Sequence, residues 1–206
     1  NGDEAASLSE RILALLRLQN SAQKPSFPSM KLESHRLARL LVHAAQAGSY
    51  TSTGGRQAFA DAVWNNCKDE EPNCREFQAA TLIAAAVSLG LDSPNLRVED
   101  TLVRAIDVAA SLEARGEWSP EPDVVATTRR AMNIVSDTNE YAESPLERLV
   151  EQIGAGDSLS QIVPMAFALA SRYQDRHVLT TPLRLGVHTN TILSTACIFI
   201  GSVRGA

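Results

Sequence analysis

The chain is poor in aromatic side chains and in cysteine, which removes several classes of protein from consideration. Aromatic residues make up 5% of its 206 residues, and its three cysteines are Cys67, Cys74 and Cys197. An odd and small number of thiols argues against a disulfide-rich secreted scaffold and favours a reducing compartment with buried thiols. Pairing or metal binding by Cys67 and Cys74 stays open, although their spacing matches no strong zinc pattern.

Long apolar runs and a basic surface are also missing. No stretch reaches the roughly 18 to 20 consecutive apolar residues that span a membrane. The formal charge of −5, with acids and bases interspersed, predicts no nucleic-acid footprint. The chain begins with Asn1 rather than methionine, and the acidic Asp3 and Glu4 are not typical of a targeting peptide. We therefore expect an intracellular protein of the cytosol or an organelle matrix, a processed mitochondrial precursor included.

Most of the sequence shows the spacing of apolar residues that is typical of α-helices. Apolar residues recur at steps of three and four almost everywhere, alternating patterns are short, and 44% of the residues are hydrophobic. This predicts one all-α domain over residues 1–206, with about nine or ten helices. The first predicted helix begins at Ser7; later ones cover 32–46, 56–64, 76–91, 98–114, 120–135, 145–153 and 159–170, with loops at 47–50 and 116–119.

The final helix and the segment before it organise this prediction. Gly186 permits a sharp turn, and the polar residues that follow begin a helix whose free N–H groups can face a ligand. The helix has one face of mostly small residues, on which a neighbouring helix can lie close: Thr191, Ser194, Ile198, Gly201 and Gly205. Its other sides are covered by apolar residues: Ile192, Leu193, Cys197, Phe199 and Ile200. We expect the other helices to surround it.

Gly186, Thr189 and Thr191, followed by an apolar helix with late glycines, resemble the Gly-x-Asp-Thr-Asp-Thr signature of the ADP-ribosylglycohydrolases. The resemblance implies an all-helical domain in which aspartates and a threonine hold a pair of Mg²⁺ ions, and an activity that removes ADP-ribose. In this chain His188 and Asn190 stand at the aspartate positions.

Acids are lost, wholly or in part, at two further places of the family's pattern. The Gly-Asp pair after the first helix falls on Ser21 and Ala22, and the Thr-Asp-Asp-Thr motif falls on residues 32–35, where Glu33 is the one acid and His35 ends the motif. Mg²⁺ prefers carboxylate oxygens, and imidazole suits softer metals. We therefore expect the family's fold with no metal and no cofactor.

Three alternative functions are compatible with this pattern of residues. The first is a non-catalytic structural or interaction subunit, bound to other protein subunits in a larger assembly; the positions then vestigial are Glu33, His35, His188 and Asn190. The second is an ADP-ribosyl hydrolase with an altered site, in which His35 and His188 bind Zn²⁺ or act as a base. The third is a module that binds ADP-ribose or a nucleotide without cleaving it, through Gly186, Thr189 and Thr191.

Three other segments admit a functional interpretation beside a plain one. Residues 51–56, with two glycines and three hydroxyls before a helix, either cradle a phosphate or form an ordinary loop. The acids at 69–71 form a metal site or a solvated turn. Arg129 and Arg130 are solvated charges or a small anion contact.

Overall fold

Helices make up nearly all of the regular structure. The computed structural model describes residues 28–93, 95–137, 144–173 and 189–204, with side chains from residue 36 onward. These residues form eight α-helices, one 3₁₀ turn at Lys68–Glu70 and no strand, which confirms the all-α prediction. The predicted helix at Ser7 lies outside the described residues. The helices are α1 (Pro28–Tyr50), α2 (Arg56–Cys67), α3 (Cys74–Asp92), α4 (Val98–Ala110), α5 (Val124–Ser136), α6 (Pro145–Gln152), α7 (Leu159–Tyr173) and α8 (Thr189–Arg204).

The enclosed position that we expected for the last helix is occupied instead by α3. This helix packs against six other described helices, α1, α2, α4, α5, α7 and α8. It is rich in alanine, and the short side chains let neighbours approach from several sides. Its start is fixed by a capping box, in which Asn73 accepts from the backbone of Arg75 and Glu76 while the Glu76 carboxylate accepts from the Asn73 N–H.

Helix α1 continues through the segment that we predicted as a loop. The glycine in that segment, Gly48, lies inside the helix at its crossing with α3. A Cβ at Gly48 would lie 2.3 Å from the carbonyl oxygen of Ala84. The glycine is therefore required by a close helix–helix contact and does not end the helix.

The buried face of α8 also differs from the predicted one. Thr191, Ser194 and Gly201 of the predicted face are half-exposed, although Ile198 is buried. The residues that pack inward are offset by one position along the helix: Ile192, Thr195, Ala196, Phe199, Ser202 and Val203. Phe199 meets Phe167 of α7 edge-on with ring centroids 4.7 Å apart. The burial of Ile192 and Phe199 agrees with the prediction, but the small-residue face was placed one residue, about 100° of rotation, away from the side that packs inward.

The chain between α4 and α5 is longer than predicted. Helix α4 ends at Ala110, and α5 begins after Asp123, which accepts a 2.8 Å bond from the Ala126 N–H as N-cap. Ser119, the predicted cap, is buried instead, and its Oγ accepts from the Glu121 N–H at 3.3 Å. The intervening segment is called the 111–123 loop below. In the part of the chain that the structure describes, no helix has both the length and the apolar character that crossing a membrane requires.

Candidate functional site

The structure describes three of the seven residues that the sequence singled out. Thr189, Asn190 and Thr191 form the first turn of α8. Gly186 and His188 lie outside the described residues, and so do the side chains of Glu33 and His35, whose backbone belongs to α1. The proposed pairing of the two segments around one site therefore stays a prediction.

The first turn of α8 carries neutral oxygen atoms only. Thr189 and Thr191 are half-exposed, Asn190 is exposed, and no acid occurs in this turn. The Thr191 carbonyl accepts a 2.8 Å bond from the Thr195 hydroxyl one turn later. This helix start supplies hydroxyl and amide groups, without a carboxylate to hold a cation.

The acids at 69–71, which we considered as a metal site, include a residue that joins the 3₁₀ turn to α1. The Glu70 carboxylate accepts from Arg39 at 2.6 and 2.8 Å, and His43 lies 3.9 Å from it. The hydrogen bond from Arg39 lowers the pKa of Glu70 although burial opposes the change. Arg36 pairs with Glu76 and donates to the Glu70 carbonyl at 3.0 Å. These carboxylates are used as ties between segments.

A second network joins α3 to the start of α5. Asp123 accepts from Arg75 at 2.8 Å and from Gln78 at 2.9 Å, in addition to the Ala126 N–H. Burial alone would raise the pKa of Asp123, but these hydrogen bonds outweigh it and leave the pKa below its ordinary value. The Arg75 Nε also donates to the Glu121 carbonyl at 3.1 Å. The network anchors the end of the 111–123 loop.

Arg115 joins the same loop to α2 and α3. Its guanidinium donates to Asp61 at 2.6 Å and lies 5.8 Å from the centre of the Phe77 ring. Across the described ranges, no group of three or more histidine, cysteine, aspartate or glutamate side chains is placed to hold a metal ion.

The cysteines are free thiols, so Cys67 and Cys74 do not form a disulfide. Burial, aided by the charge of Glu70, raises the pKa of Cys67 to about 12. Burial also raises the pKa of Cys197. Cys67 and Cys197 are therefore poor nucleophiles at neutral pH, because the thiolate is the reactive form.

A cleft of about 360 Å³ lies between the start of α5, the end of α6 and the start of α7. Arg130 on one wall donates to Gln152 at 3.0 Å, whereas its neighbour Arg129 pairs with Asp107 at 3.2 Å. A Cβ on either Gly154 or Gly156 would collide with the side chain of Gln161. The lining mixes opposite charges, amides and hydroxyls: Glu121, Pro122, Thr127, Arg130, Gln152, Ile153, Ser158, Ser160 and Gln161.

This cleft was missed in the sequence, where residues 154–158 indicate only the boundary between two helices. Its volume is within the range of small-ligand pockets. Its lining contains hydroxyls and one carboxylate but no histidine or cysteine, so no histidine in the lining is placed to activate the serines. It is a polar recess beside the 111–123 loop.

Comparisons with protein-family models, with curated proteins and with solved structures find no match for this chain. The all-α architecture rests on the structure. The resemblance to the ADP-ribosylglycohydrolases rests on the residues named above, chiefly 186–191, and stays a prediction.

Proposed function

We propose that this chain is a non-catalytic, ADP-ribosylglycohydrolase-like helical protein that serves as a structural or interaction subunit, with other protein subunits as partners and no nucleic-acid ligand. The cytosol or an organelle matrix is the compartment that we propose for it. The observation that carries the proposal is the first turn of α8. Asn190 stands there at one of the family's aspartate positions, between two threonines and with no acid in the turn.

The argument is one of charge. A pair of Mg²⁺ ions brings four positive charges into a confined site, and carboxylates normally balance them. The amide of Asn190 and the hydroxyls of Thr189 and Thr191 offer oxygen atoms without negative charge. A site built from them offers oxygen ligands but loses most of the affinity for a hard dication.

The use of acids elsewhere in the fold supports the same proposal. Glu70, Glu76 and Asp123 are each paired with an arginine from another segment. These arginines hold the carboxylates in the interfaces between helices. These three carboxylates thus join segments of the fold, as expected of a scaffold.

Titration calorimetry with Mg²⁺ and Mn²⁺ tests the absence of the metal site. We expect no binding at micromolar concentration, and we expect Asn190→Ala to change neither the heat of titration nor the melting temperature, since the side chain is exposed. Asn190→Asp is the matched variant, because it restores one negative charge with almost no change of shape. Binding of two ions per chain at micromolar strength, lost in Glu33→Gln, would overturn the proposal.

Two further measurements separate the alternatives. ADP-ribosylated protein is incubated with the chain and each metal; release of ADP-ribose that is lost on His188→Ala would establish the hydrolase. Calorimetry with free ADP-ribose tests the binding module. For the scaffold, we expect light scattering on protein isolated from its native source to give a mass well above the 22.2 kDa of one chain, and a mass of one chain contradicts it.

A further inference from the structure

Trp118 is the most exposed large hydrophobic side chain in the described part of the molecule, at 78%. A single exposed apolar residue is ordinary on a protein surface and implies nothing by itself. Trp118 differs from such residues in two respects. The backbone of its loop is fixed by contacts with other segments, and the same loop carries three glutamates.

The backbone is fixed on both sides of Trp118. Before it, the Glu117 carbonyl accepts a 2.8 Å bond from the Cys74 N–H at the start of α3. Gly116 has φ +91°, and a Cβ there would lie 2.2 Å from the Pro72 carbonyl oxygen. After it, Ser119 is buried. The loop therefore presents the indole from a preorganised backbone, so binding a partner would order only the side chain.

The glutamates nearest to Trp118 along the chain are Glu113, Glu117 and Glu121, of which Glu121 also lines the cleft that Arg130 lines. The side chains of Glu113, Glu117 and Glu121 make no ion pair or hydrogen bond within the described ranges. The one cation among them, Arg115, is committed to Asp61. Three carboxylates without a hydrogen-bond or ion-pair partner among the described residues therefore lie on the same loop as an exposed indole.

We propose that Trp118, together with Glu113, Glu117 and Glu121 (the Trp118 patch), docks an arginine- or lysine-bearing segment of a partner protein. This rests on the proposed function as an interaction subunit and names the chemistry of the partner. A guanidinium stacks on the indole face by cation–π attraction, while the carboxylates complement its charge and speed the encounter. A nucleic acid is repelled by the same carboxylates.

The test uses the full 206-residue chain and a dye-labelled, end-blocked peptide of alternating glycine and arginine, followed by fluorescence anisotropy at low ionic strength. We expect saturable binding that salt weakens, and no binding of the same peptide with glutamate in place of arginine. Trp118→Ala should weaken binding by about tenfold or more, the scale of an interface hot spot. Trp118→Phe retains a smaller aromatic ring, so its affinity for the peptide should lie between those of the wild type and Trp118→Ala.

The charge is tested separately. The double variant E117Q/E121Q should weaken binding several-fold and flatten its dependence on salt. Glu151→Gln is the matched control, because Glu151 is an exposed glutamate on α6 that makes no hydrogen bond or ion pair within the described residues. It should leave the affinity unchanged.

Three results would overturn the inference: no binding of the arginine peptide, equal affinity of wild type and Trp118→Ala, or an equal loss in Glu151→Gln. Circular dichroism and melting temperature establish that each variant is folded, which we expect for Trp118 because it is 78% exposed. The metal and ADP-ribose titrations described above do not involve Trp118. Failure of this inference is therefore distinguishable from failure of the proposed function.

Discussion

Gly48→Ala gives the sharpest test of how the helices pack, because two opposing effects act at this position. In an isolated helix alanine is more favourable than glycine by about 1 kcal/mol. At the crossing of α1 and α3, however, the new methyl group would lie 2.3 Å from the carbonyl oxygen of Ala84 and 2.9 Å from that residue's Cα. Those atoms belong to the backbone of α3, so no side-chain rotation relieves the collision.

The magnitude follows from the shift that the collision requires. Ordinary van der Waals contact begins at 3.4 Å, so the two helices must separate locally by about 1 Å. Forcing extra methyl groups into packed cores typically costs about 1–3 kcal/mol. Because the collision is with backbone atoms, we take the upper end of that range, about 3 kcal/mol. Subtracting the gain of about 1 kcal/mol in helix propensity, we expect Gly48→Ala to lower the free energy of unfolding by about 2 kcal/mol.

Urea denaturation followed by far-ultraviolet circular dichroism measures the change, with two alanine variants as controls. A Cβ on Gly90 would lie 2.5 Å from the Ser202 hydroxyl, whose displacement costs its hydrogen bond to the Phe199 carbonyl, and 3.0 Å from the backbone of Ser202. Because the nearest atom there belongs to a side chain, Gly90→Ala should cost less than Gly48→Ala. A Cβ on Gly54 would have no atom nearer than 3.5 Å, and Gly54→Ala should be close to neutral. A Gly48→Ala protein as stable as wild type would refute the close crossing.

Other predictions concern charges and thiols. Arg115→Ala should lower the free energy of unfolding by about 1–2 kcal/mol in the same assay, because the Arg115 side chain forms an ion pair with Asp61 and lies over the ring of Phe77. The pKa of Glu70 is lowered by Arg39, so its stabilisation is present above the unfolded pKa of about 4.3 and is lost as the pH falls through the lower folded value. Melting curves across pH should therefore show Glu70→Gln destabilised most at neutral pH, with the gap closing in acid; a gap independent of pH contradicts this. Burial of Cys67 predicts that Cys67→Ser leaves the number of fast-reacting thiols in the native protein unchanged.

The sequence predicted the helical character of most segments because apolar spacing reports burial directly. It failed where a neighbouring helix decides the outcome. A glycine such as Gly48 is typical of a helix end. Only the close approach of Ala84 from α3 shows that Gly48 is needed inside the helix, where no side chain fits. The start of α5 was placed too early for a similar reason. Ser119 and Asp123 are both good N-caps, and Arg75 with Gln78 selects the aspartate through contacts more than forty residues away in sequence.

The orientation of α8, whose first turn forms the candidate site, also depends on a neighbouring helix. The period of α8 is visible in its sequence, but small residues occur on two of its faces. Its inward side is set by close packing of Ser202 against Gly90, a contact between the ends of α3 and α8. No local pattern encodes that contact. A one-residue error in phase was the consequence.

Acidic residues show why function is harder to infer than fold. The acids at 69–71 suggested a metal site because sequence alone cannot show which arginine will reach them. Arg39, 31 positions from Glu70, and Arg36, 40 positions from Glu76, convert both carboxylates into structural ties. The useful distinction is therefore between acids that the fold neutralises and acids that it leaves exposed without a partner. Glu117 belongs to the second kind, and it is adjacent to the most exposed tryptophan, so the 111–123 loop is the part of the described surface where a basic partner would find both charge and an aromatic ring.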